Sequence, residues 1–228
     1  MATYAALAAA RMIHCAAMAA VELLHERILD CTLCQDAGYI ERAAPVVAGR
    51  AGNRMMLIGQ APGISELAIR RPFAGRAGKE LFRWLASIGI EESDFRDKVY
   101  MTAVTKCFPG KAPGGKGDRR PSPAEIALCR PYLDAQLALI DPRSILLVGS
   151  LAIERCFPRV PLTELIGQRV EWRGKTAVPL PHPSGASRWL NVPHHRELLR
   201  AALRYVREEW DSVVETDAAI IREPIVIV

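Results

Sequence analysis

The chain has 228 residues, of which 50% are hydrophobic, so it can bury the core of one domain, with or without a short extension. Its 30 Lys and Arg outnumber its 25 Asp and Glu, and the formal net charge of +5 at pH 7 favours an anionic partner without defining one. The sequence has no uncharged apolar run of about 18 residues and no clean signal-peptide pattern, which predicts a cytoplasmic protein with no membrane partner.

The chain begins with an Ala-rich segment, residues 1–30, which predicts two helical segments as an N-terminal extension to a single domain over residues 31–228. Within that domain, four near-continuous apolar runs end in Gly, Pro or a polar residue, as expected of strands covered on both faces. These predicted strands are residues 55–59, 99–104, 145–149 and 176–180.

Helical patterns lie between and after the strands. Apolar side chains recur at helical spacing over residues 78–88, and a third helix with one apolar face is predicted over residues 196–210. Ser122 begins a capping box with Pro at the first helical position and Glu125 at the third, which predicts a helix reaching Leu139.

Strands that alternate with helices indicate an α/β fold. We expect a three-layer α/β/α sandwich around a central, mostly parallel four-stranded sheet. In such sheets, ligands bind at the carboxyl ends of the strands. The conspicuous loops of this chain follow predicted strands, at residues 60–63, 106–122 and 182–189.

Four of the six cysteines are spaced as a metal site. Cys31-x-x-Cys34 places two thiolates close enough to share one centre, and Cys107 and Cys129 can supply the two further soft ligands of a Cys₄ site. A chain of this size does not need disulfide staples. Spacing alone leaves zinc and an iron–sulfur cluster open, and the remaining two cysteines are interpreted as ordinary buried thiols.

Three sequence motifs follow one another beside the predicted strand ends. The first is GQAPG at residues 59–63, followed by RPFAGRAG at 71–78; the second is TKCFP at 105–109; the third is HPSGASR at 182–188. This ordered set resembles the uracil-DNA glycosylase superfamily, and it is closest to the iron–sulfur branch known as family 4. The resemblance covers roughly residues 31–188, most of the chain.

The resemblance implies a DNA repair glycosylase that flips uracil out of DNA and hydrolyses its N-glycosidic bond, leaving an abasic site. Phe73 would stack on the extruded uracil, and His182 would stabilise negative charge developing on uracil O2. The base-contacting loop would be Gln60, Ala61, Pro62 and Gly63, with Gln60 placing the attacking water.

The resemblance also implies a cofactor and a DNA-binding loop. Cys31, Cys34, Cys107 and Cys129 match the ligands of a structural 4Fe-4S cluster, although spacing does not exclude zinc. Ser184, Arg188 and Trp189 lie in the loop that would contact the duplex or enter the space that the base leaves.

The chain departs from the family at the positions that activate water and recognise the base. Family 4 has Glu at the position that Gln60 occupies in this chain, and family 1 has Asp at the position of Ala61. Neither carboxylate is present here. Glu66 is the carboxylate that could substitute. Family 4 also has Asn at Ala103, so backbone amides or Asn191 would have to recognise the base.

A basic loop separates the third and fourth cysteines. Its cations Lys111, Lys116, Arg119 and Arg120 are available for phosphates, and such contacts add affinity without sequence specificity. The loop matches G-x-x-x-x-G-K, but Gly117 follows where a nucleotide-binding loop has Ser or Thr. A relative of family 4 has in this loop a His that bonds covalently to the abasic sugar; this loop has no His, which predicts ordinary turnover or tight non-covalent product binding.

Two classes of protein fit these observations. The first is a monofunctional uracil-DNA glycosylase, monomeric and nucleoid-associated, that acts on single- or double-stranded DNA. The alternative is a non-catalytic iron–sulfur DNA-binding protein of the same fold. Phe73 and His182 favour the enzyme, because a protein that only binds DNA needs neither.

Overall fold

The structure is a computed structural model that describes residues 4–115, 117–184 and 189–222. Its described residues form a five-stranded sheet of order β2-β1-β3-β5-β4 with helices on both sides. The strands are β1 (Met55–Gly59), β2 (Val99–Ala103), β3 (Ser144–Val148), β4 (Val170–Trp172) and β5 (Lys175–Leu180). The expected α/β sandwich is thus confirmed.

The helices precede, connect and follow these strands. They are α1 (Tyr4–Leu29), α2 (Leu33–Asp36), α3 (Ile64–Ile69), α4 (Arg76–Ala86), α5 (Glu92–Lys98), α6 (Pro123–Ile140), α7 (Ser150–Cys156), α8 (Leu162–Leu165) and α9 (Pro193–Arg222), with short 3₁₀ turns η1 (Pro113–Gly115) and η2 (Trp189–Asn191). None of them, within the described ranges, combines the length and apolar character needed to cross a bilayer.

The sheet has one more strand than the sequence predicted. Strands β1, β2, β3 and β5 pair in parallel, and β4 adds an antiparallel edge with Val170 opposite Ala177. The extra strand has three residues, none of them buried, so it lacks the apolar run that marks the other four. Every residue of β1, β2 and β3 is buried, and these strands form the centre of the core.

The N-terminal segment is one helix and not the two that the sequence predicted. Helix α1 packs against α6, and its His25 Nε2 lies 2.6 Å from the Tyr100 hydroxyl of β2. The amide of Gln136 in α6 donates to the same hydroxyl at 2.9 Å. Side-chain hydrogen bonds therefore join α1 and α6 to the sheet.

The capping box of α6 forms as predicted. Ser122 Oγ accepts from the Glu125 N–H at 3.3 Å, and the Ser122 N–H donates to Glu125 Oε2 at 2.7 Å. These bonds satisfy two of the donors that a helix start leaves open. They fix where the basic loop ends and the helix bearing Cys129 begins.

Candidate active site

The loops that the sequence singled out lie at one edge of the sheet. Residues 60–63 follow β1, residues 104–122 follow β2, Gly149 follows β3 and residues 181–184 follow β5. Because these four strands are parallel, their carboxyl ends share that edge, where ligands of such sheets bind.

The Phe73 ring lies against the end of β1. A Cβ placed on Gly59 would stand 3.1 Å from Phe73 Cζ, so glycine is what allows the ring to pack there. Phe73 itself has a φ of 53°, a left-handed conformation that is uncommon for a bulky side chain. A Cβ on Gly78 would collide with the Phe73 carbonyl, so the turn also depends on the second glycine of the RPFAGRAG motif.

Arg96 of α5 binds the strained turn from one side. Its Nη1 donates to the Pro72 carbonyl at 2.8 Å and its Nη2 to the Phe73 carbonyl at 3.2 Å. The guanidinium packs 4.4 Å from the centre of the Phe82 ring and pairs with Glu92 at 2.8 Å. Sequence analysis missed this residue, because Arg96 and Glu92 are spaced as an ordinary surface pair on a helix.

Glu66 binds the same turn from the other side. Its Oε1 accepts the backbone N–H of Ala74 at 3.0 Å and of Gly75 at 3.2 Å, and the residue is 6% exposed. Its Oε2 lies 2.9 Å from the position that a Cβ on Gly63 would occupy. One carboxylate oxygen therefore orders the Phe73 turn, while a role for the other in activating water stays a prediction.

His182 is held as a hydrogen-bond donor. The Ser184 N–H donates to its Nδ1 at 3.2 Å, and Ser184 Oγ lies 2.9 Å from the same nitrogen. Because Nδ1 accepts, the proton of the neutral ring is on Nε2. Burial lowers the pKa of His182, and the negative charge of Asp118 opposes that shift in part. Burial therefore favours the neutral imidazole.

Gly149 makes room for this imidazole. Its φ is 89°, and a Cβ there would stand 2.9 Å from His182 Cδ2. Gly59 lies at the end of β1 and Gly149 directly after the end of β3. These two strands are neighbours in the sheet, with axes about 4.8 Å apart. The phenyl ring and the imidazole therefore lie above neighbouring strands at the same edge of the sheet.

The loop after β1 packs on the end of β2. The Gln60 carbonyl accepts the Thr105 N–H at 3.2 Å, and Pro62 is buried while Gln60, Ala61 and Gly63 are half-buried. Ala103 pairs in register with Gly59 and cannot donate a side-chain hydrogen bond. The Thr105 hydroxyl is buried and has no hydrogen-bond partner within the described residues. Sequence analysis missed this hydroxyl.

Most cations predicted to bind DNA already have partners. Lys111 pairs with Asp118 at 2.7 Å, and Arg120 pairs with Glu154. Arg119 makes a two-pronged contact with the buried Glu125 carboxylate, at 2.7 and 2.9 Å. A structural role for Arg119 is thus visible, whereas phosphate binding by these side chains stays a prediction.

Two of the residues predicted to bind DNA, Lys116 in the basic loop and Arg188 in the loop after His182, lie outside the described residues. Trp189 is half-buried and stacks on His195, with ring centres 4.1 Å apart, and His195 Nδ1 lies 2.7 Å from the Trp189 carbonyl. Asn191 is exposed at the end of η2, so its proposed contact with the base stays a prediction.

The four predicted metal ligands come from three parts of the fold. Cys31 and Cys34 follow α1, Cys107 follows β2, and the buried Cys129 lies in α6. Burial, together with the charges of the other three cysteines, raises the pKa of the Cys34 thiol to about 12, so all four are within electrostatic reach of one another.

Burial raises the pKa of Cys34, Cys107 and Cys129, and Lys106 supplies two groups that oppose this and favour thiolates. The Lys106 N–H donates to Cys129 Sγ at 3.2 Å, and the fully buried Lys106 ammonium attracts the Cys129 and Cys107 charges. Among the described residues, no three His, Cys, Asp or Glu side chains are grouped tightly enough to hold one metal ion. Four soft donors with a backbone N–H and a cation beside them fit an iron–sulfur cluster.

The fold is a mostly parallel α/β sandwich with a phenyl ring and an imidazole at the carboxyl edge of its sheet, where ligands of such sheets bind. The chain matches the model of the Uracil DNA glycosylase superfamily over residues 47–207. It therefore belongs to that superfamily.

Several curated relatives are similar over most of the chain. The Type-4 uracil-DNA glycosylase of Thermotoga maritima is 34% identical over 72% of this chain and 81% of its own length. That of Sulfurisphaera tokodaii is 31% identical over 84% of this chain and 85% of its own length. That of Pyrobaculum aerophilum is 34% identical over 68% of this chain and 70% of its own length.

Proposed function

We propose that this protein is a monofunctional DNA glycosylase that removes uracil from DNA by hydrolysing its N-glycosidic bond. The observation that carries the proposal is the placement of Phe73 and His182 at the ends of adjacent strands, each packed on a glycine that leaves it room. A base extruded from DNA would stack on the phenyl ring and present its edge to the imidazole.

The protonation of His182 suits this reaction. Breaking the bond between C1′ and N1 leaves positive charge on the sugar and negative charge on uracil, much of it on O2. A neutral imidazole with its proton on Nε2 donates to that oxygen and stabilises it more as the bond breaks. Removing one such donor from an enzyme typically slows catalysis by about 10²–10³-fold.

DNA binding would use the basic surface around this edge. The net charge of +5 favours an anionic partner. We infer that four cations contact phosphates: Lys111, Lys116, Arg120 and Arg188. DNA phosphates would compete with Asp118 for Lys111 and with Glu154 for Arg120, since both ion pairs are solvent-accessible. Ser184 and Trp189 lie next to His182 along the chain and would hold the space that the base leaves.

We also propose that the four cysteines hold a structural 4Fe-4S cluster. The cluster would join α1, the loop after β2 and α6, which come from distant parts of the sequence. When bound, its role is to fix these segments, and the residues that perform the excision lie outside it. Visible absorbance together with iron and sulfide content distinguishes the cluster from zinc, and Cys129→Ser should lose both signals.

The protein is proposed to act as a monomer in the cytoplasm, associated with the nucleoid, on single- or double-stranded DNA. Residues 1–30 are proposed as an extension and residues 31–228 as one domain. Because α1 packs against α6 and its His25 contacts Tyr100 of β2, a chain lacking α1 should unfold at a lower temperature.

The test is incubation with a uracil-containing oligonucleotide followed by alkaline cleavage at abasic sites. Wild type should form an alkali-labile abasic site at the uracil, and His182→Ala and Phe73→Ala should form it far more slowly while keeping the cluster absorbance. A thymine oligonucleotide of the same sequence is the control. Binding without any cleavage by the wild type would instead support the non-catalytic DNA-binding protein.

A further inference from the structure

Part of the basic loop is a small hairpin. Residues 110–119 turn back on themselves, with Lys111 and Asp118 opposite each other as an antiparallel bridge. The Arg119 N–H donates to the Gly110 carbonyl at 3.0 Å and closes the base of the hairpin. The described part of this loop is therefore folded back on its own backbone.

The hairpin is anchored one residue after Asp118. The Arg119 guanidinium binds both oxygens of Glu125, whose side chain is 3% exposed and which also caps α6. The same guanidinium donates to the Tyr39 carbonyl at 2.8 Å. A buried two-pronged ion pair of this kind fixes geometry as well as adding energy. Asp118 is thus held in place by its neighbour.

The hairpin brings the Asp118 carboxylate to the loop after β1. Its Oδ2 lies 3.0 Å from the position that a Cβ on Gly63 would occupy, so it contacts the backbone that ends the GQAPG motif. Lys111 Nζ donates to the other oxygen, Oδ1, at 2.7 Å. Burial lowers the pKa of His182, and the negative charge of Asp118 opposes part of that shift, so the carboxylate is within electrostatic reach of the imidazole. Asp118 therefore stands between the two loops that flank the site.

We infer that Asp118 is the carboxylate that activates the attacking water in this enzyme. The inference rests on the proposed excision of uracil. It accounts for a chain that has Gln60 and Ala61 where related families have Glu and Asp. The missing charge is supplied from the hairpin that follows β2, and not from the loop that follows β1.

Glu66 is the rival carboxylate, and the contacts separate the two. Glu66 is buried and its Oε1 is bound to two backbone N–H groups that shape the Phe73 turn. The Asp118 side chain is 34% exposed, so water reaches it. We therefore assign positioning of the turn to Glu66 and activation of water to Asp118.

The proposed step balances as a hydrolysis. The bond between C1′ and N1 breaks, and its electron pair leaves with uracil, where His182 stabilises the charge at O2. The water oxygen forms a bond to C1′ and passes a proton to Asp118. That proton then neutralises the departing uracil anion through solvent. The carboxylate charge also stabilises the positive sugar before the water bond forms.

The test measures the single-turnover rate of uracil release separately from binding. Asp118→Asn keeps the shape and removes the charge, and we expect release to slow by about 10²-fold, the low end of what general base catalysis supplies. Affinity for uracil-containing DNA should hold or rise, since a negative charge beside the phosphates is gone. Glu154→Gln is the matched control, because it neutralises another carboxylate that pairs with a cation of this loop and should leave the rate unchanged.

Rescue distinguishes a catalytic role from a structural one. Asp118→Ala leaves space for a small carboxylate, so added formate should restore part of its rate and should not accelerate Asp118→Asn. Cluster absorbance checks that each variant is folded. Equal rates for Asp118→Asn and wild type, or an Asp118→Ala variant that formate does not rescue, would overturn the inference. A wild type that releases no uracil would overturn the proposed function itself.

Discussion

Replacing Arg96 with glutamine removes both hydrogen bonds that hold the carbonyls of Pro72 and Phe73. Each bond from a charged donor contributes about 1.5–3 kcal/mol. The Arg96 side chain is only 15% exposed, so solvent screens these bonds little. Phe73 has a φ of 53°, and the left-handed conformation costs about 1–2 kcal/mol. Without Arg96 this cost is opposed mainly by the bonds that Glu66 makes.

We therefore expect Arg96→Gln to shift the turn away from its stacking conformation by about 2 kcal/mol, which is about 30-fold in kcat/KM for uracil excision. The assay is excision under subsaturating substrate. Glu92→Gln is the control, because it removes the ion-pair partner of Arg96 and leaves both carbonyl bonds in place. Its kcat/KM should stay close to that of the wild type.

A double-mutant cycle tests whether Arg96 acts through Phe73. If it does, Arg96→Gln should cost little more when Phe73→Ala is already present, because the residue it positions is gone. Full additivity of the two losses, or a wild-type kcat/KM for Arg96→Gln alone, would refute the reasoning.

Three further predictions concern the same edge of the sheet. Gly149→Ala places a methyl group 2.9 Å from His182 Cδ2 at a φ of 89°, so excision should fall while DNA binding persists; full excision would contradict this. The pKa of His182 is lowered by burial, so the folded protein binds fewer protons than the unfolded chain below about pH 6.5, and stability should fall as pH decreases through that range. His182→Asn should flatten this part of the pH dependence of Tm, and an unchanged slope would count against it. Thr105→Val removes a buried hydroxyl without a partner in the described residues, and urea denaturation should show a gain of about 1 kcal/mol. A loss of stability would instead indicate an ordered water at that hydroxyl.

The parts of the fold that the sequence predicted are those with a strong local pattern. The apolar runs of the four long strands and the capping box at Ser122 each depend on neighbouring residues, so a single sequence is sufficient to find them. Strand β4 has three residues, none of them buried, and it exists only because β5 offers an edge to pair with. Helix α1 was predicted as two segments because nothing local shows that it packs as one piece on α6.

In the candidate site, too, the sequence predicted the residues that lie in local motifs and missed those whose contacts are distant along the chain. Phe73 and His182 lie in contiguous motifs, so the sequence alone singles them out, while their roles toward the base stay a prediction. Arg96 was missed because the carbonyls it binds are 23 and 24 residues away along the chain. Asp118 was missed because, in sequence, it is one acid among the cations of a loop. Its contact with Gly63 arises only when the hairpin folds.

Composition alone does not show which cations of the basic loop are available to bind DNA. A cluster of Lys and Arg predicts phosphate binding, yet Arg119 is used to hold the hairpin against Glu125. Charge counts describe how many cations are present. Which of them are free for DNA is decided by carboxylates elsewhere in the chain, such as Glu154 in α7.

The measurement that tests the account most directly is the release of free uracil from a uracil-containing oligonucleotide, with wild type and His182→Ala compared at equal, saturating enzyme. The account predicts one uracil released per abasic site formed by the wild type, and a rate lower by about 10²–10³-fold for His182→Ala. No release by a cluster-loaded wild type, or equal rates for the two proteins, would contradict it.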